Sequence, residues 1–365
     1  MTTQYGDSTL SVHVGMPEPV PGAPLLPGPV LAAPYHLPPD GYRPDLDGYG
    51  RGDNPTRRLL EAAIGGLEGG DCLAFGSGQA AITALLLSVL RTGDTLMIPA
   101  DGYYQVRAFA AGTLAGLGVK TVEVPTAGPY PSFEGVRLVL LETPANPGLD
   151  LVDIAAVAQA AHAAGALVAV DNTTATPLSQ RPLDLGADVV VASGTKALSG
   201  HSDLLLGYVA TRSPELLDGM RQWRALTGAI PSAFDCWLAR RSMGTMALRL
   251  RQQSVNGAAV VELLRSLPSV RAVRWAGDSA LAARQMKIVP GLVSFELESA
   301  ERVAAFLRAS KLVAAATSFG GLHTSADRRH QWGDNVAPGF VRLSCGVEDT
   351  GDLLADLRTA LTAAA

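Results

Sequence analysis

Between residues 53 and 211, short apolar runs rich in β-branched residues alternate with segments of helical periodicity, and this alternation is the feature that most restricts the fold. The runs DCLAF, TLMIP, RLVLLE, ALVAV and DVVVA have the length and composition of buried strands. Parallel strands need crossover connections, which helices usually provide. The alternation therefore predicts an α/β fold with a mostly parallel sheet covered by helices on both faces. Ligands of such sheets bind beyond the carboxyl ends of the strands.

The regular alternation of predicted strands and helices ends near Thr227. The helices predicted before this point include those over residues 103–117 and 154–164, and a long helical region is predicted after it at residues 234–264. The runs GLVSFEL, KLVAAA and GFVRLSC and two amphipathic segments at 300–309 and 352–364 follow. This part of the chain predicts a smaller α+β domain.

Residues 1–48 differ in composition from the rest of the chain. Nine of the 24 prolines fall between Pro17 and Pro39, and proline disfavours both helix and central strand because it lacks an N–H and fixes φ. The segment is either a disordered tail, which its composition favours, or an extended arm, which its apolar residues allow. The predicted organisation is a segment over 1–48, a large domain over 49–229 and a smaller domain over 230–365.

Composition and charge argue against several classes of function. The 365 residues are 47% hydrophobic, and the net charge of −5 includes no lysine or arginine tract, which argues against a nucleic-acid partner. Three scattered cysteines without CxxC or Cys/His spacing argue against disulfides and a metal site. No segment approaches the roughly 18–20 apolar residues that span a bilayer, and the N-terminus does not resemble a secretory signal. We therefore expect a cytoplasmic protein without a membrane partner.

The stretch VVVASGTKALSGHSD contains one of only four lysines in the chain. Lys196 follows a predicted strand and has the hydroxyl residues Ser193 and Thr195 beside it. An amine in a partly desolvated apolar site has a lowered pKa, and it can then act as a nucleophile toward carbonyl groups. Taken alone, a solvated surface lysine is the commoner interpretation.

Three other polar features also follow predicted strands. The sequence GSGQAA at residues 76–81 would expose backbone N–H groups at a helix start, which suits a phosphate, although a tight turn or a dinucleotide fingerprint has the same pattern. Asp171 ends the run LVAVD, where it would lie at the rim of a site or cap a turn. Asn146 follows the run RLVLLE between two prolines, where turn chemistry is the alternative.

Together these features are the parts needed to hold pyridoxal 5′-phosphate (PLP). The lysine would form a Schiff base with the cofactor, and a carboxylate would keep the pyridine nitrogen protonated so that the ring withdraws electrons. The glycine-rich turn and the hydroxyl groups would bind the phosphate. An aromatic side chain is needed over the ring, and Tyr103 or Tyr104 follows the run TLMIP.

The chain resembles the cystathionine family of PLP-dependent enzymes, the Cys/Met metabolism group of the aspartate-aminotransferase fold, and the resemblance extends nearly from end to end. STLSVHVG resembles the family's TxAVHAG, YGRGDNPT its YxRxxNPT, FGSGQAAI its ASGMAAI and LETPANP its ESPxNP. VDNTTATP resembles DNTxATP, SGTKALSGHSD resembles SxTKYxxGHSD, and TSFGG and VRLSCGVED resemble SLGG and RLSVGxED. The resemblance implies fold type I, with a large seven-stranded, mostly parallel sheet, a smaller C-terminal α+β domain and an N-terminal arm that lies on the neighbouring subunit.

The resemblance also implies roles for individual residues and a homotetramer whose active sites are shared between subunits. The implied catalytic residues are Lys196, Tyr103 and Asp171, with Tyr103 stacked on the ring. The implied cofactor-binding residues also include Gly78, Gln79, Thr174, Ser193 and Thr195, and Tyr49 and Arg51 are implied to reach the phosphate in a neighbouring subunit. The implied substrate-binding residues are Asn146, Ser318, Arg342 and His323.

The resemblance implies a carbon–sulfur lyase of sulfur amino acid metabolism, with cystathionine γ-lyase as the first choice. The alternatives are cystathionine β-lyase, methionine γ-lyase, and cystathionine γ-synthase or O-acylhomoserine sulfhydrylase. A nicotinamide oxidoreductase is a remote alternative that uses GSGQAA and Asp101 but leaves Lys196 and Asp171 without roles. A non-catalytic relative would be expected to have lost the lysine or the aspartate, and both are present.

The chain departs from the family pattern where the substrate is selected. His323 lies where members with γ-chemistry often have a glutamate, and Tyr104-Gln105-Val106 replaces the frequent Gly-Gly-Thr. Methionine-specific lyases tend to have a cysteine at the position of Gln105. The resemblance therefore predicts the cofactor better than the substrate.

Overall fold

The computed structural model describes residues 5–364. The predicted segment 1–48 therefore lacks its first four residues in this description, and the predicted domain 230–365 lacks Ala365. The helices are α1 Asp7–His13, α2 Pro55–Glu68, α3 Gly78–Val89, α4 Tyr104–Phe109, α5 Ile154–Ala163, α6 Pro214–Thr227, α7 Ala233–Met243, α8 Met246–Ser266, α9 Ala280–Gln285, α10 Ala300–Ala309 and α11 Thr350–Ala363. The strands are β1 Asp71–Phe75, β2 Thr95–Pro99, β3 Lys120–Val124, β4 Val136–Glu142, β5 Leu167–Asp171, β6 Val189–Ser193, β7 Gly207–Thr211, β8 Arg271–Trp275, β9 Leu292–Glu296, β10 Ala314–Ala315, β11 Ser325–Arg328 and β12 Phe340–Ser344.

The larger sheet has seven strands in the order β1-β7-β6-β5-β4-β2-β3. All pairs are parallel except those of β7, which runs antiparallel to both β1 and β6. Successive strand residues face opposite sides, so Leu73 and Phe75 pack with α3 and α6 while Cys72 and Ala74 pack with α2 and α7. The predicted α/β fold, with a mostly parallel sheet covered on both faces, is confirmed.

The carboxyl ends of β1, β4, β5 and β6 meet at one edge of this sheet because these strands are parallel. The turn after β1 can approach the sheet closely because β7 begins with a glycine. A Cβ atom on Gly207 would lie only 2.0 Å from the carbonyl oxygen of Ser77. The glycine therefore allows the start of α3 to lie against β7, beside the end of β6.

The smaller sheet has five strands in the order β10-β11-β12-β9-β8. Its core includes Phe295 and Phe306, which make an edge-to-face ring contact at 6.2 Å, together with apolar residues of α8 and α11. This arrangement confirms the predicted α+β class of the C-terminal part. Of the predicted strand KLVAAA only Ala314–Ala315 pairs, at the edge of the sheet.

The long helix α8 contributes to both halves of the molecule. Met246, Ala247 and Leu250 lie in a core beneath the larger sheet, whereas Val260 and Leu264 lie in the core of the smaller sheet. The long helical region predicted at residues 234–264 is present, but it is divided into α7 and α8 around Gly244 and Thr245, where Thr245 has ψ near 3°. Glycine has a low helix propensity, so ending the helix at Gly244 costs little free energy.

The predicted helix at 103–117 is shorter and less regular than its sequence indicates. Helix α4 continues directly into a π-helical turn at Ala110–Leu114. The spacing of apolar residues cannot distinguish an α-helix from a short π-helical turn, because one wider turn leaves the same side of the helix buried.

The N-terminal segment lies partly on its own chain. Helix α1 was not predicted, and no helix follows it in the described chain until α2. Arg240 donates hydrogen bonds to the carbonyls of Val12 and Val14, and the indole N–H of Trp237 donates to the carbonyl of Pro27 at 3.0 Å. Contact of the segment with a neighbouring subunit, and the domain boundaries at 48/49 and 229/230, stay predictions. Among residues 5–364, no helix is long and apolar enough to cross a membrane.

Candidate active site

A cavity of about 380 Å³ opens at the carboxyl ends of β1, β4, β5 and β6 and is closed by residues of the smaller sheet and its loops. Most of the predicted site residues line it together: Gly78, Gln79, Tyr103, Asn146, Asp171, Thr174, Ser193, Thr195, Lys196, Ser318 and Arg342. In the sequence these residues are as much as 264 positions apart (342 − 78 = 264), so the fold brings them to one place.

Three predicted site residues lie outside this cavity. Tyr49 and Arg51 line a separate cleft, where the guanidinium of Arg51 lies 5.7 Å from the centre of the Tyr49 ring and donates to the carbonyl of Ala225 at 2.7 Å. His323 is exposed and does not line the cavity within this single chain. The roles of these three residues therefore stay predictions.

Lys196 lies in the turn that follows β6, and its Nζ donates to Ser318 Oγ at 2.8 Å. Burial is the main cause that lowers the pKa of Lys196 to about 8, and the positive charges of Arg342 and Arg329 lower it further, against the opposing charge of Asp171. At pH 7 this pKa leaves roughly a tenth of the amines neutral, far more than for an ordinary lysine, and only the neutral amine can act as a nucleophile or proton acceptor.

The turn that contains Lys196 is held in place from α8. Arg249 donates to the carbonyl of Ala197 at 2.8 Å and to that of Leu198 at 3.1 Å. The guanidinium of Arg249 is buried, so these charge-assisted bonds are protected from water. The position of the lysine is thus restrained by contacts outside the cavity.

Ser318 has a strained backbone at the centre of the cavity. Its φ of 75° lies in the left-handed region, which residues other than glycine rarely adopt. This conformation places its hydroxyl against Lys196 and its carbonyl against Arg342, whose Nη2 donates to it at 2.9 Å. Strain of this kind is often found at ligand sites, and here one residue contacts both cations.

Asp171 is the last residue of β5 and is buried. One of its oxygens accepts the backbone N–H of Thr173 at 2.9 Å. Burial raises the pKa of Asp171, while the contact with Thr173 and the charge of Lys196 lower it. A buried carboxylate needs a cationic partner, and the protonated nitrogen of a pyridine ring would supply one.

The start of α3 also lines the cavity. The Ser77 hydroxyl caps this helix by accepting the N–H of Ala80 at 3.1 Å. A Cβ atom on Gly78 would lie 2.7 Å from Ser193 Cβ, so the glycine allows the helix start and the end of β6 to meet. Gln79 Oε1 is buried without a hydrogen-bond partner. Exposed N–H groups at a helix start fit a phosphate.

The donor set as a whole fits PLP. An amine, a buried carboxylate and a helix N-terminus line one cavity, as the resemblance implies. Tyr103, whose pKa is raised mainly by burial, also lines it and makes an edge contact with the Tyr104 ring at 5.2 Å. Thr195 departs from a purely phosphate-binding role, because its hydroxyl also accepts the N–H of Leu206 at 2.9 Å within the turn before β7.

Arg342 on β12 is placed to bind a carboxylate. It donates to Asn146 Oδ1 and to the Ser318 carbonyl, but its Nε has no hydrogen-bond partner. Burial lowers the pKa of Arg342 to about 10, so it remains charged at neutral pH. A buried, incompletely paired guanidinium gains from the bidentate contact that a carboxylate offers.

Among the cavity residues that were not predicted from the sequence, four have charged or aromatic side chains. Glu142 ends β4 and would have been found if every polar residue at a strand end had been considered. Phe319 lies under both cations, with Arg342 Cζ at 5.1 Å from its ring centre and Lys196 Nζ at 5.3 Å. Trp332 and Arg329 belong to a short 3₁₀ helix, a segment without periodicity.

Arg329 is compensated by two buried carboxylates. Its Nη1 donates to Asp327 at 2.9 Å and its Nε donates to Asp334 at 2.7 Å. The indole N–H of Trp332 also donates to Asp327, at 2.9 Å. The two carboxylates hold Arg329 in close ion pairs, whereas the nearest carboxylate oxygen to Arg342, that of Asp327, lies at 3.7 Å.

The chain is similar to known proteins over most of its length. A family model described as Cys/Met metabolism PLP-dependent enzyme matches residues 41–362. A putative cystathionine gamma-lyase of Streptomyces coelicolor is 48% identical over 98% of this chain and 93% of its own length. An L-methionine gamma-lyase of Pseudomonas deceptionensis is 38% identical over 87% of this chain and 86% of its own.

A solved structure has the same fold over the whole chain. It is a cystathionine gamma synthase from Xanthomonas oryzae pv. oryzae in complex with aminoacrylate and cysteine. It is 33% identical, covers 99% of both chains and has a TM-score of 0.93. The resemblance found in the sequence is thus confirmed, and the chain belongs to the Cys/Met metabolism PLP-dependent enzymes.

Proposed function

We propose that this enzyme is a carbon–sulfur lyase that converts L-cystathionine and water into cysteine, 2-oxobutanoate and ammonia. The observation on which this depends is the pair of contacts at Ser318, whose side chain binds the Lys196 amine while its carbonyl binds the Arg342 guanidinium. A carboxylate bound by Arg342 would place the α-carbon of an amino acid next to Lys196. The name of the Streptomyces coelicolor relative supports the choice of cystathionine.

Each residue would contribute a separate effect. PLP, when bound, withdraws electrons from the α-carbon of an amino acid. Asp171 would hold the proton on the ring nitrogen, Lys196 would accept the α-proton, and Arg342 would orient the carboxylate. Cleavage at the γ-carbon needs further proton transfers at the β-carbon, which the same lysine amine could reach. Tyr103 would stack on the ring and take part in moving protons.

The assembly is also part of the proposal. Tyr49 and Arg51 lie in a cleft away from the cavity, and Tyr49 is exposed, so both are free to contact a second subunit. We infer a homotetramer in which they complete the site of a neighbour, with His323 near the substrate. A cytoplasmic location stays a prediction.

The substrate is tested by product analysis. Purified holoenzyme is incubated separately with cystathionine, methionine, cysteine and O-acylhomoserines, and the keto acid and thiol products are identified. We expect 2-oxobutanoate and cysteine from cystathionine. Pyruvate and homocysteine from cystathionine would overturn the γ assignment in favour of β-cleavage, and formation of cystathionine from cysteine and an O-acylhomoserine as the main reaction would favour a synthase.

Capture of PLP by the apoprotein is expected to become faster as the pH rises through about 8. Burial, followed by the positive charges of Arg342 and Arg329, lowers the pKa of Lys196 to about 8, and only the neutral amine attacks a carbonyl group. Below this pH the amine is protonated, so capture slows. The rate is measured by absorbance after mixing apoprotein with PLP over a range of pH.

The variant Arg329→Gln provides a comparison for this pH profile. Loss of a nearby positive charge makes protonation of Lys196 easier, so the inflection should move to higher pH. A wild-type inflection near the ordinary lysine value of about 10.4 would show that the site does not activate its amine.

A further inference from the structure

Glu142 is a second buried carboxyl beside Asp171. The two residues are register partners at the carboxyl ends of the adjacent parallel strands β4 and β5. Both are nearly inaccessible to solvent, with 7% of their surface exposed. Asp171 is proposed to pair with the cofactor ring, but nothing in the proposed chemistry uses Glu142.

The two oxygens of Glu142 bind two different loops. Oε2 accepts the backbone N–H of Tyr103 at 2.6 Å, and Oε1 accepts the backbone N–H of Asn146 at 2.7 Å. The first contact requires a glycine at position 102, because a Cβ atom there would lie 2.6 Å from Oε2. The approach of the Tyr103 loop to Glu142 is thus built into the sequence.

Each of the two loops contributes a different side of the cavity. Tyr103 is the aromatic side chain proposed to stack on the cofactor ring. Asn146 accepts a hydrogen bond from Arg342, the guanidinium proposed to bind the substrate carboxylate. Glu142 therefore binds both the loop of Tyr103, which would contact the ring, and Asn146, which contacts the arginine that would bind the carboxylate.

The charge state of Glu142 is compatible with this role. Burial, followed by the negative charge of Asp171, raises the pKa of Glu142 to about 8. The N–H groups on both oxygens match an ionised carboxylate, which accepts at each oxygen. Its two bonds to backbone N–H groups favour ionisation but do not outweigh burial.

We propose that Glu142 is a positioning residue that sets the Tyr103 loop and the Asn146–Arg342 pair relative to each other. The kinetic part of this proposal rests on the proposed function, whereas the structural part does not. A glutamine at this position has one acceptor oxygen and one NH₂ group. One of the two backbone N–H groups would therefore lose its acceptor and face another donor.

Amide hydrogen exchange of the apoprotein tests the structural part. In Glu142→Gln, exchange should become about tenfold faster or more in a peptide that contains the N–H of Tyr103 or of Asn146. In the holoenzyme, kcat/KM should fall about ten- to hundredfold for whichever amino acid the wild type converts. Both kcat and KM should change, because the Tyr103 loop beside the ring and the Asn146–Arg342 pair beside the substrate carboxylate would both be displaced.

Glu68→Gln is the matched control. Glu68 is fully buried, accepts the Tyr208 hydroxyl at 2.7 Å and does not line the cavity. This variant should leave the exchange at Tyr103 and Asn146 and the value of kcat/KM unchanged. The proposal is overturned if Glu142→Gln exchanges like the wild type at both positions, or if Glu68→Gln loses as much kcat/KM. A wild type that does not cleave cystathionine would refute the proposed substrate but not the exchange result.

Discussion

Lys196→Ala is expected to abolish turnover and the covalent capture of PLP. The other three lysines lie outside the cavity, and only the Lys196 amine contacts Ser318 within it. Loss of a group that acts both as nucleophile and as proton carrier should lower kcat by about a thousandfold or more. Absorption spectra of the purified proteins should show a band near ~420 nm in the wild type and none in the variant.

The chain offers a matched control for this experiment. The side chain of Lys120 is exposed at the edge strand β3, so Lys120→Ala removes the same group from a solvated position. It should keep both the absorption band and the activity. Reduction with borohydride followed by mass spectrometry locates the covalent link independently of turnover. A PLP adduct on any residue other than Lys196 would refute the assignment.

Asp171→Asn is expected to reduce kcat by about a hundred- to a thousandfold. Removal of one partner from a buried ion pair costs about 3–5 kcal/mol, and about 1.4 kcal/mol corresponds to a factor of ten. The neutral amide would no longer hold the proton on the ring nitrogen, so the cofactor would withdraw electrons less well. Steady-state kinetics and the Kd of the apoprotein for PLP, by titration, measure the two effects.

The apoprotein should respond to Asp171→Asn in the opposite direction. Burial raises the pKa of Asp171, which means that its charge is unfavourable when no cation is bound. The apoprotein variant should therefore unfold at the same temperature as the wild type or at a higher one, while the holoprotein loses stability. Asp188→Asn is the control, because Asp188 accepts the N–H of Val168 at 2.7 Å far from the cavity. It should lower stability in both forms and leave the Kd for PLP unchanged.

The cofactor side of the site was predictable because its residues directly follow strands. Asp171 ends one apolar run and Lys196 lies in the turn just after another, and a parallel sheet brings such positions together. The same logic would have included Glu142, which ends the run RLVLLE. It was overlooked because its importance depends on two backbone N–H groups whose positions the sequence pattern does not reveal.

The substrate side was predictable only through the family resemblance. Ser318 contacts Lys196 across 122 positions of sequence, and its left-handed backbone has no local signal such as a glycine. Arg329 is buried because two aspartates compensate it, and a buried arginine cannot be told from a surface arginine by periodicity. His323, which the resemblance places near the substrate, is exposed in the single chain.

Helix α8 has a thermodynamic consequence that goes beyond the site. Its first turns are part of the core beneath the larger sheet, and its last turns are part of the core of the smaller sheet. If either core loosens, the helix loses packing that the other core also needs, so the free-energy costs of opening the two halves are linked. Arg249 on the same helix holds the turn of Lys196. Because Arg249 lies in the first turns of α8, among residues of the core beneath the larger sheet, loosening of either core would also loosen the turn that contains Lys196.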